Sequence, residues 1–391
     1  MIAVLMFQTA IAEECPTTAW DVQSEWPSVT EQIKTDKAVE IAALEEYAFT
    51  LTGKDTERTG IRTDGLVVLQ HGQILYEQYG RGFTADNKHL IWSITKNINS
   101  AILGRAVQEG LMDVRDSICD HVDFVPAENC VIRVEHLLTF SSGLRWTETY
   151  EGQKNQASSV LAMLYGEGKR DMATFVATHD LANAPGSNVE YSSGDSTLLA
   201  AIIGGAVESR FTELYPWTML FEPLGIDATY ERDTTGTYVG SSFSYMTPRD
   251  LAKLGAFYLN DGCVGAERLL PEGWVTTSTT PSRYYNNMES CCDSGAISGY
   301  SWWLNTDYET MGTSREYPDA PEFYYGSGHW GQYLIVIPSW DVVIVRTGDD
   351  RDGSYDNKDR VPNNTNYIPT FQSVQSTNPT QSYVTDDYYA L

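Results

Sequence analysis

The chain has 391 residues, 42% of them hydrophobic and ten of them tryptophan, which suits a packed globular protein with a large core rather than a disordered chain. Fifty-three acidic residues stand against 26 basic ones, a net charge of −27. A field of that sign repels phosphate backbones and acidic membrane surfaces, so nucleic-acid partners are set aside, and no later stretch reaches about 18 uninterrupted apolar residues, so no integral membrane segment is expected.

Residues 1–12 form a short apolar run ending Ala10-Ile11-Ala12, the small-x-small pattern of a signal-peptidase site without the usual positively charged start. They read as a signal remnant and predict a secreted or periplasmic protein. Six cysteines point the same way. Cys119 and Cys130 flank a short polar excursion suited to a local disulfide, Cys263, Cys291 and Cys292 lie in a Gly-rich region, and Cys15 stands near the start; spacing does not choose among the pairings. There is no C-x-x-C pair and no zinc-spaced histidine pair, so neither a metal nor a cofactor is expected.

From about residue 13 to 35 the chain reads as an extended arm anchored by Trp20 and Trp26, followed by a helix over Ala38 to Phe49. Gly65 to Gln70, His71-Gly72 and Gln73 to Tyr79 read as strand, tight turn and strand. A helix then starts at Ser93, with Ile94, Ile98, Ala101, Ile102 and Ala106 at a 3.6-residue period and Gly110 past its end. Ser93 and Lys96 lie off that apolar stripe, which predicts that the stripe packs inward while the Ser–Lys edge lines a cleft. Short helices are predicted over Val134 to Phe140, Met172 to His179, Ser196 to Ala206 and Arg249 to Tyr258. Strand patterns return at Tyr300 to Leu304, Phe323 to Gly326, Gln332 to Ile337 and Asp341 to Arg346, with Pro338-Ser339-Trp340 as a turn. A polar tail follows, with a short helix predicted near Tyr367 to Gln375.

Strands at both ends with helices between them predict an α+β fold. Residues 13–110 and 291–391 would form one discontinuous domain with an antiparallel sheet flanked by helices, and 111–290 a mainly helical inserted domain.

Three clusters carry chemistry. Ser93 and Lys96, one helical turn apart, place an ammonium beside a hydroxyl, as a serine nucleophile activated without histidine requires. The spacing alone is a weak signal. The second cluster is Glu190-Tyr191-Ser192-Ser193-Gly194-Asp195, and the third is the Gly-rich stretch from Phe323 through Gly326 and His329 to Gln332.

Taken in this order, these elements resemble the serine β-lactamase superfamily, in the branch that holds class C β-lactamase-like esterases and 6-aminohexanoate-dimer (nylon-oligomer) hydrolases. Leu137-Leu138-Thr139-Phe140-Ser141-Ser142-Gly143-Leu144 is similar to that branch's LLT-x-x-SGL signature, and the Tyr191 and Gly328-His329-Trp330-Gly331-Gln332-Tyr333 stretches to its tyrosine loop and last active-site strand. The resemblance runs from about Gly65 to Gly348 and implies a β-lactamase/penicillin-binding-protein-like fold. It implies Ser93 as nucleophile with Lys96 and Tyr191 as the base system: a phenol ordinarily titrates near pH 10 and becomes a useful base at neutral pH only beside a cation. It further implies an oxyanion hole from the Ser93 and Gly326 amides and a substrate-closing loop tyrosine at Tyr150. Ser193 departs from the family, standing where lactamases carry Asn, and is expected to donate one hydrogen bond to Lys96 or to substrate; His329 is a candidate substrate contact. A histidine in such a strand more often packs as a wall, and Trp302, Trp303 and Trp330 read as core or cleft wall.

One departure narrows the chemistry. Phe323-Tyr324-Tyr325 stands where lactamases carry Lys-Thr-Gly, so the cation that grips a β-lactam carboxylate is missing from its usual place. The expectation is a serine hydrolase of small esters or amides, with an amidase, D-peptidase or nylon-oligomer hydrolase as the alternative and a β-lactamase disfavoured. A catalytically idle homologue that binds peptidoglycan or a partner protein is the non-enzyme alternative.

Overall fold

The structure is a computed structural model and describes residues 15–16, 20–51, 60–150, 158–285, 297–308, 312, 314–315 and 317–350. The signal-like start, the tail helix near Tyr367, Cys291 and Cys292 lie outside these residues.

The N-terminal arm is less extended than its composition predicts. Thr30–Asp36 (α1) is helical, with Glu31 in its first turn and Lys34 in its last, charges that complement the helix dipole. Ala38–Phe49 (α2) follows and lays Ile41, Leu44 and Ala48 on Leu66 and Tyr76 at the outer face of the sheet. Trp20 and Trp26 meet edge to face at 6.4 Å and dock the arm.

Thr63–Gln70 (β1) and Gln73–Tyr79 (β2) pair antiparallel. Their two-residue turn works because His71 and Gly72 both take positive φ (50° and 70°), as the tight hairpin turn demands. After His89–Leu90 (β3), a single 3₁₀ turn, Trp92–Ile94, delivers the chain into Thr95–Gln108 (α3). Gly110, at φ 67°, breaks away after the helix end.

The predicted one-sided burial of α3 does not hold. The helix is buried on every side from Thr95 to Gly104, at the centre of the molecule. Its polar residues are instead spent on neighbouring backbone: Asn97 donates to the Ser301 carbonyl at 2.9 Å, and Asn99 to the Ser196 and Gly240 carbonyls at 2.8 and 3.2 Å. Apolar periodicity locates the helix but cannot reveal that cross-links of this kind bury its other face.

Val134–Leu138 (α4), Ser159–Tyr165 (α5) and Met172–Ala177 (α6) pack around Ser193–Val207 (α7), and α7 together with a π turn at Trp217–Phe221 packs on α3. α7 begins three residues before its expected start, because Ser192 caps it by accepting from the Asp195 amide at 2.9 Å. Thr229–Tyr230 (β4) and Ser244–Met246 (β5) form a small sheet with β3. Pro248–Leu259 (α8) belongs to the middle stretch expected in the helical insertion, yet it packs on the large sheet. A Cβ at its Gly255 would sit 2.6 Å from Val343, so glycine permits the close approach. Cys263–Val264 (β6), Glu267–Arg268 (β7) and Trp274–Ser278 (α9) follow.

Ile297–Ser298 (β8), Trp303–Asn305 (β9), Phe323–Gly328 (β10), Gln332–Ile337 (β11) and Val342–Gly348 (β12) complete a seven-stranded antiparallel sheet ordered β2-β1-β12-β11-β10-β9-β8. The strand predicted from Tyr300 begins only at Trp303. Gly299 to Trp302 form the turn between β8 and β9, and Ser301 takes φ 62° there. The central register pairs Val67 with Val345 and Ile335 with Ile344, so sequence-distant ends of the chain share one sheet. Disulfides join Cys119 to Cys130 and Cys15 to Cys263. No helix among the described residues is long and apolar enough to cross a membrane.

Candidate active site

Ser93 sits in the 3₁₀ turn ahead of α3, half-buried, and the residue before it carries the local strain. Trp92 takes φ 48°, a conformation costly for a bulky side chain and one that persists only where surrounding packing enforces it. Its ring is held edge-on to Phe243, His329 and Trp330. Ser93 is therefore mounted on an over-determined turn rather than on a flexible loop.

Lys96, one turn on, is 2% exposed. Its Nζ donates to Ser93 Oγ at 3.2 Å, to Ser193 Oγ at 3.1 Å and to the Ser241 carbonyl at 2.9 Å. Three acceptors match the three hydrogens of an ammonium. Burial lowers its pKa from 10.5 to about 8, and Glu148 opposes that fall.

Tyr191 stands at the turn into α7 with its ring centroid 4.8 Å from Lys96 Nζ. Trp303 stacks on that ring at 5.4 Å, and Phe140 packs against it at 5.0 Å. The Leu137–Leu144 motif holds this turn in place. The Glu190 amide donates to the Phe140 carbonyl at 2.8 Å, and Ser142 Oγ donates to Asp195 Oδ1 at 2.7 Å. Gly143, at φ 77°, leaves no room for a side chain, since a Cβ would lie 2.2 Å from the Asn183 carbonyl oxygen. Burial raises the Asp195 carboxyl to about 7, with the Ser142 and Ser192 hydrogen bonds pulling the other way.

On the opposite side β10 runs along the Ser93 turn. A Cβ at Gly326 would lie 2.6 Å from Asn97 Oδ1, and one at Gly328 would lie 2.3 Å from the Ile91 carbonyl oxygen. Glycines let this backbone approach the Ser93 turn closely. The β9 register ends at Tyr325 opposite Trp303, so Gly326 to Gly328 continue past the last paired residue of that neighbour.

Tyr150 and His329 pair beside the Ser93 turn. Their rings stack at 5.1 Å, and His329 in turn packs on Trp92 at 5.5 Å. Contacts link the residues singled out in the sequence: Lys96 bonds Ser93 and Ser193 and lies against the Tyr191 ring, His329 packs on Trp92 and Tyr150, and Gly326 passes beside Asn97, while Trp303 stacks on Tyr191 and Trp330 packs on Trp92. Trp302 is fully buried instead, between Tyr258 and Tyr324.

Sequence reading missed Glu148, Trp146, Asn97 and the Ser241 carbonyl. Glu148, 4% exposed, accepts from Ser193 Oγ at 2.6 Å, from the Ser193 amide at 3.0 Å, from Trp146 Nε1 at 2.6 Å and from the Tyr150 hydroxyl. A usable signal was present: Trp146, Glu148 and Tyr150 alternate, which in extended chain puts three side chains on one side. Among the described residues no group of three or more His, Cys, Asp or Glu side chains is arranged to hold a metal ion.

A model of the Beta-lactamase family matches residues 48–361. The chain belongs to the beta-lactamase family. It is a hydrolase of the serine β-lactamase type by that membership. A 6-aminohexanoate-dimer hydrolase from Paenarthrobacter ureafaciens is 25% identical over 300 residues, covering 73% of this chain and 72% of that protein. A candidate 6-aminohexanoate-dimer hydrolase from Bacillus anthracis shares the fold with a TM-score of 0.64 at 17% identity, over 93% of this chain and 90% of that one. A penicillin-binding protein homologue from Caulobacter crescentus matches with a TM-score of 0.55 at 15% identity, over 74% and 87% of the two chains. The β-lactamase/penicillin-binding-protein-like α+β fold expected from the sequence is the fold of the molecule.

Proposed function

We propose that the protein is an exported serine hydrolase that cleaves small carboxylic esters or amides through a covalent acyl-enzyme on Ser93. The observation that carries this reading is the Lys96 ammonium, bonded at once to Ser93 Oγ and Ser193 Oγ and lying against the Tyr191 ring. Two disulfides suit an oxidising compartment and support export.

In the first half-reaction Ser93 Oγ attacks the acyl carbon and its proton passes to the Tyr191 oxygen. Lys96 stays charged beside the phenolate and makes that oxygen a competent base. The Ser93 and Gly326 amides face the oxyanion of the tetrahedral intermediate. Collapse breaks the bond to the leaving alcohol or amine, which takes the proton from Tyr191, and water then repeats the sequence to release the acid and regenerate Ser93. Tyr150 and His329 contact the substrate, whereas Ser193, expected from the sequence as a substrate contact, is buried with its hydroxyl bonded to Lys96 and Glu148 and supports the base system. The Paenarthrobacter ureafaciens relative makes short linear amides the natural comparison to esters, and Phe323-Tyr324-Tyr325 in place of a lysine-led triplet disfavours β-lactams.

The test is turnover and labelling. Ser93→Ala is expected to abolish hydrolysis of p-nitrophenyl acyl esters and short amides, and to lose covalent labelling by a fluorophosphonate, with an unchanged circular dichroism spectrum. Full activity in that variant would sink the assignment. Tyr191→Phe removes the proposed proton acceptor and is expected to lower kcat by about 10²–10⁴-fold; a variant as fast as wild type would remove Tyr191 from the mechanism.

A further inference from the structure

Glu148 has no step in this reaction, yet it is the buried hub that joins Ser193, and through it Lys96, to Tyr150. Its Oε2 accepts from the Ser193 amide at 3.0 Å and from Trp146 Nε1 at 2.6 Å. Its Oε1 accepts from Ser193 Oγ at 2.6 Å and from the Tyr150 hydroxyl. The donors come from two separate segments, the 146–150 stretch and the first turn of α7, so this one carboxylate joins them.

The directions of these bonds follow from donor counts. A lysine ammonium only donates, so Ser193 Oγ must accept from Lys96 Nζ at 3.1 Å. The single Ser193 hydrogen is then left to point at Glu148. The Ser193 amide, already bonded to Oε2, fixes the same residue from its backbone side.

We propose that Glu148 is a positioning residue for the lysine–tyrosine base system: through Ser193 it orients and electrostatically supports the Lys96 ammonium, and it docks Tyr150 by its hydroxyl. The proposal rests on the reading of Lys96 and Tyr191 given above. It acts through other side chains and touches no reacting atom. Electrostatics agree with the geometry, because burial lowers the Lys96 pKa to about 8 and Glu148 is the charge that resists it. The charged and titratable groups facing this pair are Tyr191 beside Lys96, Tyr150 bonded to Glu148, and Glu190 next to the Tyr191 turn. Burial raises the half-buried Glu190, with Glu148 adding to the rise, and burial with Glu148 holds the Tyr150 phenol well above its ordinary value, so Tyr150 remains a donor.

Glu148→Gln keeps the size and removes the charge. The expected result is a fall in kcat of about 10- to 100-fold, the scale of a lost charge-assisted hydrogen bond expressed as rate. Lys96 loses its supporting charge, so the alkaline limb of the kcat/KM profile moves to lower pH. Ser193→Ala is expected to move the limb in the same direction, and the double variant to be no slower than the slower single one, since both break one chain of contacts. Tyr150→Phe is expected to raise KM and leave the limb in place. An unmoved limb in Glu148→Gln, or losses that multiply in the double variant, would overturn the proposal. If Glu148→Gln does not fold by circular dichroism, an unmoved limb in Ser193→Ala overturns it equally. Fluorophosphonate labelling of Lys96→Ala separates the two readings: labelling at the wild-type rate removes the base system itself, whereas slow labelling there with an unmoved limb in Glu148→Gln removes Glu148 alone.

Discussion

Glu148 and Glu231 are both almost wholly buried glutamates, and their surroundings could hardly differ more. Glu148 is ringed by donors from Ser193, Trp146 and Tyr150, with the Lys96 ammonium one hydroxyl away. Glu231, just after β4, is 2% exposed; burial raises its pKa from 4.5 to about 8, countered in part by the Tyr245 hydroxyl. Its Oε2 finds no hydrogen-bond partner among the described residues. A buried carboxyl ringed by donors with a cation nearby is equipped to act as a charge, whereas burial with one oxygen left without a partner among the described residues favours the neutral acid.

The largest effect expected from this contrast comes from removing the cation around which the Glu148 region is arranged. Lys96→Ala is expected to lower kcat for ester hydrolysis by about 10²–10⁴-fold. Activity near that of wild type, with the melt unchanged, would mean the donor shell around Glu148 serves packing alone.

A subtler expectation concerns pH. Lys96 titrates near 8 because burial disfavours its charge, so the ammonium is present below that pH and lost above it. If the charged form supports the Tyr191 phenolate, kcat/KM falls as pH rises through about 8. A rise through the same range would instead make neutral Lys96 the base and would reverse the roles proposed for the two residues.

The smallest effect is expected at Glu231. At neutral pH its carboxyl is mostly protonated, so Glu231→Gln is expected to leave kcat within about twofold and stability within about 1 kcal/mol. The sign with pH is definite. In the unfolded chain the acid ionises near 4.5 and in the fold only near 8, so the wild type loses stability as pH rises across that window while the Gln variant does not. Denaturant melts at pH 5 and pH 8 should therefore show the variant gaining on the wild type. A loss that grows with pH would mean that Glu231, too, is held as a charge.

Much of the candidate site was legible because the residues expected to carry its chemistry are concentrated in short motifs. Ser93 and Lys96 lie within one turn, Tyr191 and Ser193 within one cap, and Gly326 and His329 within one strand and its turn. The Leu137–Leu144 motif was legible as a family mark but not as a device, and only its contacts reveal that Ser142 and Phe140 brace the Tyr191 turn. Glu148 was passed over because a glutamate beside Thr147 and Thr149 reads as solvated chain. Its burial depends on Ser193, 45 residues away in sequence. The start of α7 was misjudged by three residues because the cap Ser192 is one of two successive serines, and side-chain geometry decides which of them accepts from the Asp195 amide.

Local order, then, was set by the amino-acid sequence itself: strand periodicity in β1, β2, β11 and β12, the helical stripe of α3, and the turn chemistry of His71-Gly72, each enforced by sterics over a few residues. Tertiary structure decided which of those pieces meet. It buried α3 on all sides through the bonds of Asn97 and Asn99, passed the glycines of β10 against the Ser93 turn, and set a carboxylate one hydroxyl from a buried lysine. Charge, burial and hydrogen-bond direction depend on neighbours distant in sequence, and they are fixed only once the chain has packed.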